Sequence, residues 1–114
     1  EDGIRDRGRV TGVQTCALPI SKLPETVQAP GGPVSVTLAT SVGDGDDSWG
    51  TFEQGTRQIR IDSKAPRRHQ WWTLYHELVH VALNDAGLDE MMTGEAQEAL
   101  CNAIAAARVR ERFG

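Results

Sequence analysis

The sequence lacks a long hydrophobic run, has only two cysteines and carries no excess of positive charge. Its longest apolar stretch, residues 103–107, is far shorter than the roughly 20 residues of a membrane-spanning helix, and no apolar core follows the charged N-terminus as in a secretion signal. Cys16 and Cys101 show neither metal-binding spacing nor a disulfide framework, which favours a reducing compartment. The formal net charge of −4 disfavours binding to nucleic acid. These absences predict a cytoplasmic protein with no membrane or nucleic-acid partner.

Length and composition predict one compact globular domain. The chain has 114 residues, of which 25% are charged and 39% hydrophobic, close to the average for soluble globular proteins. Residues 1–21, however, resemble the in-frame translation of a short-read sequencing adapter, a tail that occurs in genes assembled from metagenomic fragments. We therefore predict a non-native tail over residues 1–21 that is disordered or packs weakly, and a folded domain over residues 22–114. The alternative is a genuine N-terminal arm.

The first half of the predicted domain has the patterns of β-strands and turns. Residues 34–38 alternate apolar and β-branched polar side chains, as a half-buried strand does, and residues 49–53 and 58–62 flank a turn and predict a hairpin. The aspartate-rich residues 43–48 are interpreted as a solvated turn, because the glycine and the distal glutamate of a calcium-binding loop are missing. We therefore expect a small antiparallel sheet.

The second half of the chain has helical periodicity. Apolar residues recur at three- and four-residue spacing after Pro66, which suits a first helical turn, and Gly87 is placed to end this helix. A second helix is predicted to begin near Thr93, which can cap it, and to run to about Arg112. Because only a few residues join the two helices, they should pack against each other.

The first predicted helix contains the segment HELVH at residues 76–80. His76 and His80 stand four residues apart, which places both imidazoles on one helix face, where two nitrogens can reach one zinc ion. Glu77, next to the first ligand, can act as the general base that takes a proton from a zinc-activated water. The alternative is a chance match on an amphipathic helix, with the histidines as ordinary surface or core residues.

A catalytic zinc site needs a third protein ligand from elsewhere in the chain. No histidine follows His80, and the long metzincin pattern is excluded because Leu83 and Ala86 occupy its glycine and histidine positions. A carboxylate remains, and the choice falls on Glu98, which packing of the second helix can bring to the metal. Glu95, one turn earlier, is the second choice. The other acidic candidates are Asp85, Asp89 and Glu90.

The segments WTLYHELVH at residues 72–80 and EALCNAIA at residues 98–105 resemble the small gluzincin-like zinc metallopeptidases of the ImmA/IrrE type, including short phage-encoded versions. In that family a zinc-binding glutamate precedes an asparagine or aspartate by four residues, and Glu98 with Asn102 matches this arrangement. The family often has glycine where this chain has Val79. The resemblance implies an α+β minimal zincin-like domain, a Zn²⁺ cofactor and a peptide or protein substrate, which an edge strand such as residues 49–53 can align.

Five further residues near the motif invite interpretation. Trp71 is expected in the core, whereas Trp72, one turn before His76, either lines the cleft or packs structurally. We expect a structural role for Tyr75 and a buried, small hydrophobic role for Cys101. His69 is two turns before His76, too far for ligation, and is expected at the surface.

The function predicted from these observations is peptide-bond hydrolysis by a gluzincin-like zinc metalloendopeptidase. His76, His80 and Glu98 bind the metal, and Glu77 is the catalytic base. Two alternatives remain open: a zinc-binding or peptide-binding module without turnover, or a fragment of a larger regulatory peptidase. A third possibility is a structural domain that binds no metal.

Overall fold

The computed structural model describes residues 22–40 and 49–114. The predicted tail at residues 1–21 and the aspartate-rich turn at residues 43–48 lie outside the described residues. The described chain contains four strands followed by two long helices, with a short 3-10 helix between the helices. Their bounds are β1 Thr26–Ala29, β2 Gly32–Ala39, β3 Gly50–Glu53, β4 Gln58–Asp62, α1 Arg67–Asp85, the 3-10 helix Asp89–Met91 and α2 Gly94–Phe113.

The four strands form one sheet in the order β1-β2-β4-β3. β1 pairs with β2, and β3 with β4, as antiparallel hairpins, while β2 and β4 run parallel with Val36 opposite Ile59. The α+β class is confirmed, but the sheet is mixed and not wholly antiparallel as predicted. The reason is that the second hairpin docks through β4, its second strand, which leaves β3 at the edge.

Strand β1 was not predicted from the sequence. It has only four residues, which alternate between exposed and half-buried, so its pattern is too short and too weak to stand out. Its proline- and glycine-rich surroundings also suggested a lead segment, whereas Pro30 and Gly31 form the turn into β2. A short edge strand of this kind is fixed by pairing with its neighbour and not by its own pattern.

Helix α1 covers one face of the sheet, contacts β1, β3 and β4, and packs along α2. Alternation in β2 and β4 points Val34, Val36, Ile59 and Ile61 to this face, where they are buried. The resulting core therefore joins the sheet to α1, the helix that carries HELVH. Residues of the two helices that complete it are Trp71, Leu74, Tyr75, Val81, Ala105 and Val109.

The helix boundaries agree with their predicted signals. α1 follows Pro66 and ends in a Schellman motif, in which Gly87 adopts φ 75° and Leu88 N donates to the carbonyl of Leu83 at 2.9 Å. α2 follows Thr93, whose hydroxyl oxygen accepts a hydrogen bond from the backbone N–H of Ala96 at 3.0 Å. Within residues 22–40 and 49–114, neither helix combines the length and the apolar character that crossing a membrane requires.

The C-terminal end of α1 is tied to both hairpins by one carboxylate. Asp85 accepts two hydrogen bonds from the Arg57 guanidinium, each 3.0 Å long, and a third from the backbone N–H of Gly31 at 2.9 Å. Arg57 also donates to the carbonyl oxygen of Gly32 at 3.0 Å. Because this carboxylate is engaged with the sheet, Asp85 is unsuited to be the third metal ligand.

Candidate metal centre

The two histidines of HELVH lie side by side on α1. The ring centroids of His76 and His80 are 4.9 Å apart, and their planes are inclined by 67°. Their side chains are 11% and 26% exposed, so both rings are largely shielded yet remain at the edge of solvent. Residues of the same helix on the opposite face, including Leu74 and Val81, are buried against the sheet and hold α1 in place.

Helix α2 brings Glu98 to both imidazoles. Its Oε1 lies 3.4 Å from Nε2 of His76, and its Oε2 lies 2.8 Å from Nε2 of His80. The candidate ligand atoms of the three residues all lie within 4.8 Å of one another. Glu98 is one turn into α2, and its side chain is 54% exposed, so the cluster opens towards solvent on the α2 side.

The donor set fits a divalent metal. Two imidazole nitrogens and one carboxylate are a ligand set found in catalytic zinc sites, where a fourth position stays open. Ligand atoms at 2.0–2.1 Å from a tetrahedral zinc lie about 3.3 Å from one another. The distances from the Glu98 oxygens to Nε2 of His76 and to Nε2 of His80, 3.4 and 2.8 Å, lie on either side of that value. His76, His80 and Glu98 could therefore form a metal site.

Burial shifts the pKa of two groups at this centre. It lowers the pKa of His76, against an opposing contribution from the negative charge of Glu98, and so favours the neutral imidazole that can bind a metal. It also raises the pKa of the Glu77 carboxyl to about 7, with a smaller lowering by His80 and a raising by Glu98. Glu77 is thus a carboxyl next to the cluster whose proton affinity is shifted towards neutrality.

The other acidic candidates are outside the cluster. Among the described residues, the group suited to hold a metal contains Glu98 and not Glu95, Asp89 or Glu90. Glu95 lies in the first turn of α2, where a carboxylate is favourable beside the helix N-terminus. The choice of Glu98 over Glu95 therefore agrees with the geometry.

Gln97 is a residue of this centre that the sequence did not single out. Its Oε1 lies 3.0 Å from Nδ1 of His80, on the opposite side of the ring from Glu98. A glutamine in the first turn of a helix is common, so its type and position gave no signal. Its one distinguishing feature is that it directly precedes the glutamate chosen as the third ligand.

Aromatic rings form a row between the edge strand and the cluster. His69 lies 4.8 Å from the exposed Trp49 and 5.5 Å from Trp72, and Trp72 stacks on His76 at 4.9 Å, all measured between ring centroids. The prediction that His69 is a surface residue is wrong, because its ring is half-buried between the two indoles and its Nε2 is buried. Helical spacing alone cannot reveal this, since Trp49 comes from the strand side of the fold.

Three other residues have the structural environments expected of them. Trp71 is buried in the core, and Cys101 is fully buried, with burial raising the pKa of its thiol to about 11. The hydroxyl of Tyr75 accepts a hydrogen bond from Nε of Arg112 at 3.0 Å. This engagement of Tyr75 with α2 suits a structural role.

Comparison with known families agrees with the geometry. A family model described as the IrrE N-terminal-like domain, peptidase family M78, matches residues 33–109, which run from β2 to near the end of α2 and include all three residues of the cluster. Searches of curated proteins and of solved structures found no match. Since the matched segment covers more than half of the chain, the protein belongs to the IrrE N-terminal-like family of M78 metallopeptidases.

Proposed function

We propose that the protein is a zinc-dependent, gluzincin-like endopeptidase that hydrolyses peptide bonds in a peptide or protein substrate. The observation that carries the proposal is the convergence of His76, His80 and Glu98 within 4.8 Å, on a helix pair that also presents Glu77. The family supports peptidase chemistry in general. The choice of zinc, the ligand roles and the endopeptidase activity are inferred from the donor set.

Glu77 is the proposed general base. When bound, zinc polarises the scissile carbonyl and makes a water molecule more acidic. Glu77 takes a proton from the attacking water as the water oxygen bonds to the carbonyl carbon. It then delivers that proton to the leaving nitrogen as the C–N bond breaks. A carboxylate beside the metal can serve in both steps, because it accepts a proton from the water and then releases it to the leaving nitrogen.

Strand β3 is the proposed platform for the substrate backbone. It is the last strand on one side of the described sheet, and α1 packs against it. An extended peptide can add to such an edge as a further strand through backbone hydrogen bonds. The ring row from Trp49 to His76 runs from this edge to the cluster, so a peptide there would lie near the metal.

The experiment that tests the proposal compares the wild type with Glu77→Gln, and uses Glu95→Gln as a control that makes the same change in the exposed first turn of α2. Zinc content and cleavage of an unbiased peptide mixture are measured for each. We expect equal zinc in all three proteins, cleavage by the wild type and Glu95→Gln, and a loss of about 10²–10⁴-fold in Glu77→Gln.

Two outcomes would overturn the proposal. Zinc-loaded wild type that cleaves no peptide would favour the metal-binding or peptide-binding module, or a fragment of a larger regulatory peptidase. Wild type that takes up no zinc under any loading condition would favour a structural domain. Unchanged cleavage in Glu77→Gln would remove the general-base role alone.

A further inference from the structure

We propose that Gln97 is a positioning residue that fixes the orientation and the tautomer of His80 for metal binding. The inference rests on the metal site of the proposed function, and it concerns a residue that does not itself bind the metal. It is carried by the geometry around one imidazole ring, which α2 holds from two sides.

Both nitrogens of His80 face side chains from consecutive residues of α2. Nδ1 lies 3.0 Å from Oε1 of Gln97, and Nε2 lies 2.8 Å from Oε2 of Glu98. Neighbouring residues on a helix point about 100° apart, which lets the pair reach around the ring instead of crowding one nitrogen. The ring is thereby held at two points, and its rotation about the bond to the β-carbon is restricted.

The contact with Gln97 also determines which nitrogen can bind a metal. An amide oxygen can only accept a hydrogen bond, so Nδ1 must carry the proton that it donates to Gln97. With the proton on Nδ1, Nε2 is the nitrogen that would bind a metal in place of its 2.8 Å contact with Oε2 of Glu98. If the amide were turned so that its NH₂ group donated to Nδ1, the proton would lie on Nε2 and would block metal binding.

Backbone hydrogen bonds in the first turn of α2 hold Gln97 in position for this contact. Gln97 N donates to the carbonyl of Thr93 at 3.0 Å, and the Thr93 hydroxyl oxygen accepts from Ala96 N at 3.0 Å. The first turn of α2 is thus closed immediately before Gln97 and Glu98. Because histidine ligands of metals generally donate their second N–H to an oxygen acceptor, the arrangement matches a known means of raising metal affinity.

The test uses two substitutions that separate acceptor chemistry from packing. Gln97→Met keeps the length of the side chain but removes the acceptor, whereas Gln97→Glu keeps an acceptor that cannot be turned to donate. Ala99→Glu is the control for added charge, because it places a carboxylate beside Glu98 on an exposed position of α2. Zinc affinity is measured by competition with a chromogenic chelator, and unfolding of each metal-free protein is measured by heat.

We expect Gln97→Met to bind zinc about 10-fold or more weakly, with an unchanged Tm of the metal-free protein. Gln97→Glu should bind zinc at least as tightly as both the wild type and Ala99→Glu. In the zinc-loaded wild type, ¹⁵N NMR of the His80 ring should find the proton on Nδ1. These three results together distinguish positioning from a contribution to folding.

The proposal is overturned by unchanged zinc affinity in Gln97→Met, by a loss of affinity that a fall in metal-free Tm accounts for, or by a proton on Nε2 in the zinc-loaded protein. A marked loss of zinc affinity in Gln97→Glu would by itself also contradict the proposal, because that variant keeps the acceptor. Affinity is measured without substrate, so a wild type that binds zinc but cleaves nothing would refute the peptidase proposal and leave the role of Gln97 intact.

Discussion

Asp85 and Arg57 form a bidentate ion pair in which both nitrogen–oxygen distances are 3.0 Å. Arg57 lies in the turn between β3 and β4, and Asp85 is the last residue of α1. The pair therefore joins the sheet to the far end of the helix that carries His76 and His80. It holds the end of that helix against the sheet, and neither residue belongs to the candidate metal site.

The ion pair predicts a pH dependence of stability. Hydrogen bonds from Arg57, and then from the backbone N–H of Gly31, lower the pKa of Asp85 below its ordinary 3.8. A carboxyl whose pKa is lowered on folding stabilises the native state above its unfolded pKa, and this contribution is lost as the pH falls through the folded pKa. We expect Asp85→Asn to destabilise the metal-free protein at pH 7, and the difference from wild type to shrink below pH 3.8.

Urea unfolding of the metal-free protein at pH 7 and pH 3 measures this effect. Asp89→Asn is the matched control, since it removes the same charge in the 3-10 helix, away from Arg57. A difference between wild type and Asp85→Asn that stays constant from pH 7 to pH 3 would show that the charge of Asp85 is not what stabilises the contact.

At Gly50 the edge strand β3 packs so closely on α1 that there is no room for a side chain. A β-carbon added there would lie 2.4 Å from Cγ2 of Thr73 and 3.0 Å from the carbonyl oxygen of Arg60, so the strand or the helix would have to shift. We expect Gly50→Ala to reduce the free energy of unfolding by about 1–3 kcal/mol. Gly55→Ala is the control, because no atom lies within 4 Å of its added β-carbon. Equal stability of the two variants in urea unfolding would refute the close packing of β3 on α1.

Removal of the Thr93 cap of α2 is expected to cause a modest loss of stability. The Thr93 hydroxyl accepts a hydrogen bond from Ala96 N at 3.0 Å, and Thr93→Ala leaves that donor without its partner. We expect a loss of about 1 kcal/mol in the free energy of unfolding, and near-complete recovery in Thr93→Ser, which retains the hydroxyl. Thermal and urea unfolding check both values. If Thr93→Ser were as unstable as Thr93→Ala, the hydrogen bond would not be the cause.

Much of the helical half could be predicted from the sequence because its signals are local. Both limits of α1 follow from Pro66 and Gly87, and the start of α2 follows from Thr93, each of which acts within one turn of its own position. The position of Glu98 beside the histidines also followed, since a short connection forces the two helices to pack. The candidate metal site lies on two adjacent helices, so its three residues could be proposed from pattern and spacing.

The features that were missed depend on contacts between distant parts of the chain. The parallel pairing of β2 with β4 depends on how the second hairpin docks, which alternation within each strand cannot specify. The half-buried position of His69 requires Trp49 from the other side of the fold. The contact between Gln97 and His80 requires the exact placement of α2 against α1. Each depends on tertiary packing, which the residue pattern within a single segment does not specify.

We expect His76, His80 and Glu98 together to bind one zinc ion. The most direct test is zinc affinity and stoichiometry for the wild type, Glu98→Ala and Glu95→Ala, two glutamates one turn apart on α2 of which only Glu98 lies in the cluster. We expect one zinc per chain for the wild type and for Glu95→Ala, and a strong loss of zinc affinity in Glu98→Ala. Retention of wild-type affinity by Glu98→Ala, or its loss in Glu95→Ala, would contradict the assignment of the third ligand.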